Sequence, residues 1–318
     1  MKAIRVASFG DPGVLHLCEA PDPVAGPGQV VVRVRAVGVN PVETYVRSGA
    51  YARLPELPYT PGVDGAGEIE SAGEGVDLPP GLRVAFGGTL SGAYAEKALC
   101  LVEQVHHLPD TVDFAQGAAL GIPYVTAWCA LFAHGRLQPG ERVLVHGASG
   151  GVGIAAMQLA RAAGGRVVGS AGSIGGMNLL LTHGMFSVVD HEDDAHLDDA
   201  RELAGGDFDV IVENLANRNL GRDLDVLAHG GRVVVVGTRG TMEINPRALM
   251  QRCASIHGLI LWNTPADVQS RAWAAIHAGL ENGSLDPIVG PRFALADAAQ
   301  AHRAILGSRA AGKIVLVP

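Results

Sequence analysis

Along the first 115 residues, short β-rich runs alternate with Gly/Pro turns. In GQVVVRVRAVGVN, Val30, Val32 and Val34 alternate with Val31, Arg33 and Arg35, the period-two pattern of a strand, and GAGEIESAG and RVAFGG read as further strands. A compact, mostly antiparallel unit is predicted. Near residue 118 the character changes. ALGIPYVTAWCALF has helical spacing, and QPGERVLVHG is a turn leading into a buried strand. From there RVLVHG precedes VGIAAMQLARAAG, RVVGSAG precedes MNLLLTHG, and SVVDH, FDVIVEN and GGRVVVVG follow. Short apolar strands separated by helical stretches predict a parallel sheet covered on both faces, a doubly wound domain over 118–264. The tail, with the helical LADAAQAHRAILG and the closing strand GKIVLVP, is expected to complete the first unit. That unit is then discontinuous, built from 1–117 and 265–318.

Composition agrees with two domains. The chain has 318 residues, too many for one ordinary core, with 48% hydrophobic and 18% charged residues, a globular balance. Net charge is −8 and no basic block occurs, so neither nucleic acid nor an anionic membrane is an expected partner. MKAIRVASFGDPG carries no apolar signal-like run, and Cys18, Cys100, Cys129 and Cys253 are isolated from one another. A cytoplasmic protein with reduced thiols is the expectation.

In VLVHGASGGVG (143–153) a buried strand feeds a glycine turn and then a helix. Gly147, Gly150 and Gly153 recur every three residues, with Gly151 beside them. Such a loop needs one glycine for the turn, one where the backbone meets a pyrophosphate, and one where the helix packs on the strand. The anion then sits on the free amides of the helix start, and Ser149 adds a hydroxyl. Ala148 stands where the first glycine of the usual fingerprint would be, but the strand–turn–helix context points to a dinucleotide. The next strand ends GSAGSIGGMN, with no acid before Asp190. A missing carboxylate leaves room for a 2′-phosphate, which favours NADPH, although poor selectivity would leave the same trace.

The twelve His are mostly single (His106, His107, His134, His183, His229), the cysteines are scattered, and no G-x-S-x-G elbow is present. Neither a metal site nor a serine nucleophile is predicted. Hydride transfer by a bound cofactor remains.

GVNPVETYVRSGAY (38–51), LPYTPGVDGAGEIESAG (57–73), VLVHGASGGVG, LANRNL (215–220), VVVVGTRGTMEINPR (233–247) and the tail AHRAILGSRAAGKIVL closely resemble the zeta-crystallin or NADPH:quinone oxidoreductase family of the medium-chain dehydrogenase/reductases. The resemblance implies an α/β fold, a Rossmann-type doubly wound sheet with a GroES-like β-rich substrate domain, and an active site in the cleft between them. It implies a zinc-independent NADPH:quinone reductase. An enoyl or alkenal reductase, or a structural protein that merely holds NADPH, is the alternative. Zinc-dependent cousins carry Cys where this chain has Asn40 and His where it has Val63. Carried over by motif, the phosphate-binding turn is Ser149, Gly150, Gly151 and Val152. Gly172, His191 and Asn219 belong to the nucleotide side, with Val236, Gly237, Thr238 and Arg239 after a later strand. Leu259, Ile260 and Leu261 pass near the nicotinamide, and Tyr45 joins the cofactor site. Asn40, Tyr45 and Tyr51 are the catalytic candidates, expected to hydrogen-bond a carbonyl of a quinone or other flat acceptor. Relatives often carry a Lys after the second strand of the doubly wound domain; here the turn reads GSIGGMN, so a 2′-phosphate would lean on Arg239, Ser170 and backbone amides. RVVVVG (232–237) and SIHGLILW (255–262) resemble the edge strands through which the family pairs, which implies a homodimer or homotetramer.

Overall fold

The computed structural model describes residues 1–307 and 311–318; the stretch 308–310 of the tail motif lies outside the described residues. The chain forms two compact units. One holds Met1–Ile122, the chain from Pro287 through the helix Ala298–Gly307, and Lys313–Pro318; the other holds Pro123–Asp286 and Gly312.

The first unit is built on a sheet ordered Val289–Ala294, Lys313–Val317, Gln29–Gly38, Asp64–Ala72, Arg83–Gly87, Val105–His107, with Lys97–Leu101 also paired to Gln29–Gly38. Gln29–Gly38 is its longest strand. Val30, Val31 and Val32 are all buried, because the strand lies between two neighbours and is covered on both faces there. Farther along, Arg33 and Arg35 turn outward and pair with Glu70 and Glu68. The last strand closes this sheet by pairing Val315 with Gly38 and Leu316 with Val37. Its core gathers Ile4, Val32, Ile69, Phe86, Tyr94 and Leu316.

The second unit holds a six-stranded parallel sheet ordered Val188–Asp190, Arg166–Ala171, Arg142–Val145, Phe208–Glu213, Leu227–Val235, Ser255–Gly258. Val143, Leu144, Val145, Val210, Ile211, Val212, Val233 and Val234 have no exposed surface, as expected of strands with helices on both faces. The chain winds outward from Arg142–Val145 to Val188–Asp190, then crosses back to start again at Phe208–Glu213. The order therefore reverses between those two central strands. In such sheets a crevice opens at that point, beyond the carboxyl ends of the strands.

The return to the first unit falls later than the tail pattern implied. The helix Ala266–Glu281 belongs to the parallel-sheet unit, so the crossing lies at Asp286–Pro287 rather than at 265. Ala272, Trp273 and Ile276 on this helix are buried, and it packs on the π-helical segment Cys129–His134. An amphipathic pattern gives the face a helix buries but not the sheet it is buried against.

Candidate functional site

The glycine turn sits at the reversal point. His146, last before the turn, donates its backbone N–H to the Val212 carbonyl, and its own carbonyl accepts from Asn214 Nδ2 at 2.7 Å. Gly147 has φ +61°, the left-handed conformation that only glycine adopts at no cost. Gly150 is the N-cap of the helix Gly151–Ala162 with φ −86° and ψ 170°. It is extended, so the close approach to an anion at this residue does not rest on positive φ; that constraint belongs to Gly147. Gly153 makes the tight packing: a Cβ there would lie 2.2 Å from the Gly147 oxygen and 2.6 Å from Ala148 Cα. The first-turn amides of Gly151 and Val152 have no acceptor within the helix and point to its positive end. Ser149 is buried, and its carbonyl accepts the Gly312 N–H at 2.9 Å.

Beyond the second strand, Gly172 carries the ring of His191. A Cβ on Gly172 would lie 2.2 Å from His191 Nε2, so the imidazole occupies the space a side chain would fill. Burial, then the neighbouring His146 charge, lowers the His191 pKa. Ser170 has no exposed surface, and its hydroxyl lies 3.1 Å from His146 Nδ1 and 3.4 Å from His191 Nδ1. This corrects its expected part in gripping a phosphate: the hydroxyl is spent inside the protein.

After Leu227–Val235, the residues Val236, Gly237 and Thr238 line a cavity of about 620 Å³ together with Leu259 and Ile260. Leu261 begins the short 3-10 turn that follows. Asn217 Oδ1 accepts the backbone N–H of Arg239 at 2.8 Å, fixing this loop. The Arg239 side chain is exposed, and its guanidinium has no partner among the described residues. Asn219 Nδ2 donates to Glu213 Oε1 at 3.2 Å.

In the first unit, Asn40 caps the helix Pro41–Ser48 and is buried. Its Nδ2 donates to Asp64 Oδ1 at 2.8 Å and to Glu43 Oε1 at 3.2 Å, and its Oδ1 accepts from Lys313 Nζ. Both amide hydrogens are therefore used internally, which corrects the expectation that Asn40 donates to a substrate carbonyl. Nor do these groups fit a zinc ion: an amide stands where a thiolate would, and the Lys313 ammonium lies against its oxygen. Burial, then Asp64, lifts the Glu43 pKa to about 7, and Tyr94 donates to Glu43 at 2.7 Å. Tyr45 lies across the helix from the buried Glu43, Thr44 and Arg47 and is half-buried, as is Tyr51.

The fold also gathers a group that residue spacing did not reveal. His146 Nε2 lies 2.8 Å from Asp223 Oδ1 and 3.6 Å from Glu213 Oε2, all three fully or almost fully buried. One tetrahedral ion about 2.1 Å from both Nε2 and Oδ1 would hold those atoms about 3.4 Å apart, so the 2.8 Å contact is a hydrogen bond sharing a proton. The one local sign in the sequence is a His directly before the glycine turn. Burial works against a charged His146, but the charges of Asp223 and Glu213 and the bond to Asp223 outweigh it and lift its pKa to about 9. A base raised in the folded state contributes stability that is complete below its unfolded pKa near 6.5 and is lost as pH rises through about 9. Unfolding by urea is expected to show stability falling by about 2–3 kcal/mol between pH 7 and 9, and His146→Gln is expected to flatten that slope. An equal slope in the variant would assign the loss elsewhere.

Comparison with known proteins agrees with this architecture. Residues 26–110 match the alcohol dehydrogenase GroES-like domain, and residues 151–278 match the zinc-binding dehydrogenase family. Human quinone oxidoreductase is 47% identical over 321 residues, covering 100% of this chain and 98% of the relative. The mouse protein is 49% identical over 323 residues, with the same coverage. The quinone oxidoreductase of Thermus thermophilus, solved alone and with NADPH, superposes with a TM-score of 0.87 at 31% identity, covering 100% of both chains. With the parallel-sheet unit, the glycine turn and full-length identity near one half all in agreement, the chain belongs to the quinone oxidoreductase family of the medium-chain dehydrogenase/reductases.

Proposed function

We propose that this chain is a zinc-independent reductase that uses NADPH to reduce quinones. The observation that carries the cofactor half is the glycine turn, with Gly153 packed against Gly147 and Ala148 so that the helix start faces the switch point. NADPH, when bound, supplies the hydride. The amides of Gly151 and Val152 hold the pyrophosphate, and the hydroxyl of Ser149 adds a donor to it. The strand Arg166–Ala171 ends without a carboxylate, so nothing there repels a 2′-phosphate. The exposed Arg239 guanidinium pairs with that phosphate. His191 and Asn219 line the nucleotide side, and the backbone of Leu259, Ile260 and Leu261 flanks the nicotinamide. Tyr45 and Tyr51 donate hydrogen bonds to the carbonyl oxygens of the acceptor; Asn40 orients the helix that carries Tyr45 instead of touching substrate. A quinone accepts electrons readily, so oriented donors suffice and water supplies protons to the product. Quinone-class acceptance follows the named relatives, human and mouse quinone oxidoreductase.

We further infer a cytoplasmic homodimer or a tetramer built from such dimers. Among the described residues Ser255–Gly258 is the last strand of its sheet, with one edge unpaired, and Ile260 and Trp262 beyond it are 54% and 40% exposed. An open apolar edge is normally covered by pairing. The exposed Cys18 and Cys253 carry free thiols, in keeping with a reducing compartment. Among the described residues no helix is long and apolar enough to cross a membrane.

NADPH oxidation across a panel of quinones, enones and aldehydes is expected to be fastest with quinones; faster turnover of enones would make the chain a C=C reductase. Arg239→Ala is expected to weaken NADPH binding, read by fluorescence titration, by about 1.5–3 kcal/mol and to leave NADH almost unchanged, the range for a charged hydrogen bond. Equal weakening of both would remove Arg239 as the selector. Light scattering at micromolar concentration should give at least twice the chain mass, and a monomer would refute pairing at the edge.

A further inference from the structure

Three parts of the nucleotide side converge on one buried cluster. His146 is the residue before the glycine turn; its Nδ1 lies 3.1 Å from Ser170 Oγ, which lies 3.4 Å from His191 Nδ1. Its Nε2 is bound to Asp223 at 2.8 Å. Glu213, 3.6 Å from the same nitrogen, uses Oε1 to accept the Leu215 backbone N–H and Asn219 Nδ2. Glu213 Oε2 and Asp223 Oδ2 are buried without another hydrogen-bond partner among the described residues. Two carboxyl groups this close and this dry need a cation or a proton between them.

We propose that His146 is a positioning residue for the dinucleotide: through Ser170 it sets which ring nitrogen of His191 carries the proton, and with Glu213 it fixes Asn219. The argument is one of counting protons. A charged His146 has a hydrogen on each nitrogen. Nε2–H goes to Asp223, so Nδ1–H points at Ser170 Oγ. The serine has one proton of its own and gives it to His191 Nδ1. His191 therefore keeps its hydrogen on Nε2, the nitrogen directly over Gly172. There it offers a fixed neutral donor, since burial and the His146 charge keep the His191 ring unprotonated near neutral pH. When His146 loses its Nδ1 proton, the Ser170 hydroxyl turns to that nitrogen and His191 is released to either tautomer. The other charged and titratable groups facing the relay are Asp190 and Glu192 beside His191, His196 from the helix His196–Ala204, and Arg222 from the helix Ala216–Asp223. The His196 ring stands edge-on to His146 with centroids 6.4 Å apart. Burial, opposed by His146 and reinforced by Asp223, lifts the pKa of Glu213 itself to about 7, so its charge is complete only above neutral pH. At His146 burial is the largest influence, but the charges of Asp223 and then Glu213 outweigh it and Arg222, and the imidazole gives up its second proton only near pH 9.

This inference rests on the cofactor reading above, so its test has two readouts. The first is the ring 15N spectrum of the unliganded protein with labelled histidine. Wild type is expected to give a doubly protonated His146 and a single Nε2–H form of His191 at about pH 7; Ser170→Ala, a small change at a buried site, should give a mixture at His191 while His146 stays charged. The second is NADPH titration by fluorescence. Ser170→Ala is expected to raise the Kd about 3- to 10-fold at about pH 7, the scale of one hydrogen bond. In wild type the Kd should rise between about pH 8 and 10, as His146 is discharged; in Ser170→Ala that rise should be absent. An unchanged His191 tautomer in folded Ser170→Ala, or a Kd within about twofold of wild type, overturns the relay. Failure of wild type to bind NADPH would sink the cofactor reading instead, and the unliganded spectra would still decide the relay.

Discussion

A strand, a tight turn and a helix can bring a free helix start to the edge of a sheet only if the helix comes down almost onto the strand. Here the contact is between the Gly153 position and the backbone of Gly147 and Ala148, closer than any side chain allows. The geometry of the second unit follows from this contact. With no Cβ in the way, the helix Gly151–Ala162 lies on the sheet, and its buried face (Ile154, Ala155, Met157, Leu159) packs over the strands Arg166–Ala171 and Arg142–Val145. The glycine turn is then left at the point where strand order reverses, with its first-turn amides directed outward. A larger residue would push the helix off the sheet and cost both the core and the anion site.

Each unit also encloses ionisable groups that a purely apolar core would exclude, and each solves the same problem with hydrogen bonds. In the first, Asp64 and Glu43 meet the Lys313 ammonium and the Asn40 carboxamide; Asp64 also accepts the Ile122 backbone N–H at 2.9 Å. In the second, Asp223 and Glu213 meet His146. Buried charges are costly unless paired, and removing one partner leaves the others exposed to that cost. Such groups are also rigid. Asn40 holds the start of the helix bearing Tyr45, and His146 lies under the turn that starts the nucleotide site. Lys313 contributes from the C-terminal strand, so the last residues of the chain complete the neighbourhood of one near its start.

The His302–Tyr94 pair is related but simpler. The ring of His302 meets Tyr94 edge-on, Tyr94 Oη lies 3.0 Å from His302 Nε2, and burial, with Arg47 adding to it, lowers the His302 pKa to about 3. A buried neutral imidazole here fills space and completes the hydrogen bonds of Tyr94, whose other partner is Glu43. The same residue type thus takes opposite charge states in the two units, because two carboxyl groups outweigh burial at one histidine, whereas burial and the Arg47 charge act together at the other.

Much of this architecture was legible in the residues. Apolar runs such as RVLV and FDVIV are too short for helices and too continuous for half-exposed strands, so they implied a parallel sheet. Glycines at 147, 150 and 153 between a strand and a helix implied the turn, and the lack of an acid after RVVGSA bore on the nucleotide. These signals are local: periodicity and backbone freedom act over a few residues, and the sequence by itself determined them. It also carried the long ordered motifs by which the family was recognised. The tertiary structure alone decided which distant polar residues meet. His146 and Asp223 are 77 positions apart, and Asn40 and Lys313 are 273 apart. It made Ser170 an internal link instead of a phosphate ligand, spent Asn40 on Glu43, Asp64 and Lys313, and placed the helix Ala266–Glu281 with the parallel sheet. The physical reason is that a carboxylate or an imidazole has no pattern along the chain. Its charge, its partners and its use depend on what the fold packs against it, and on how much water is left.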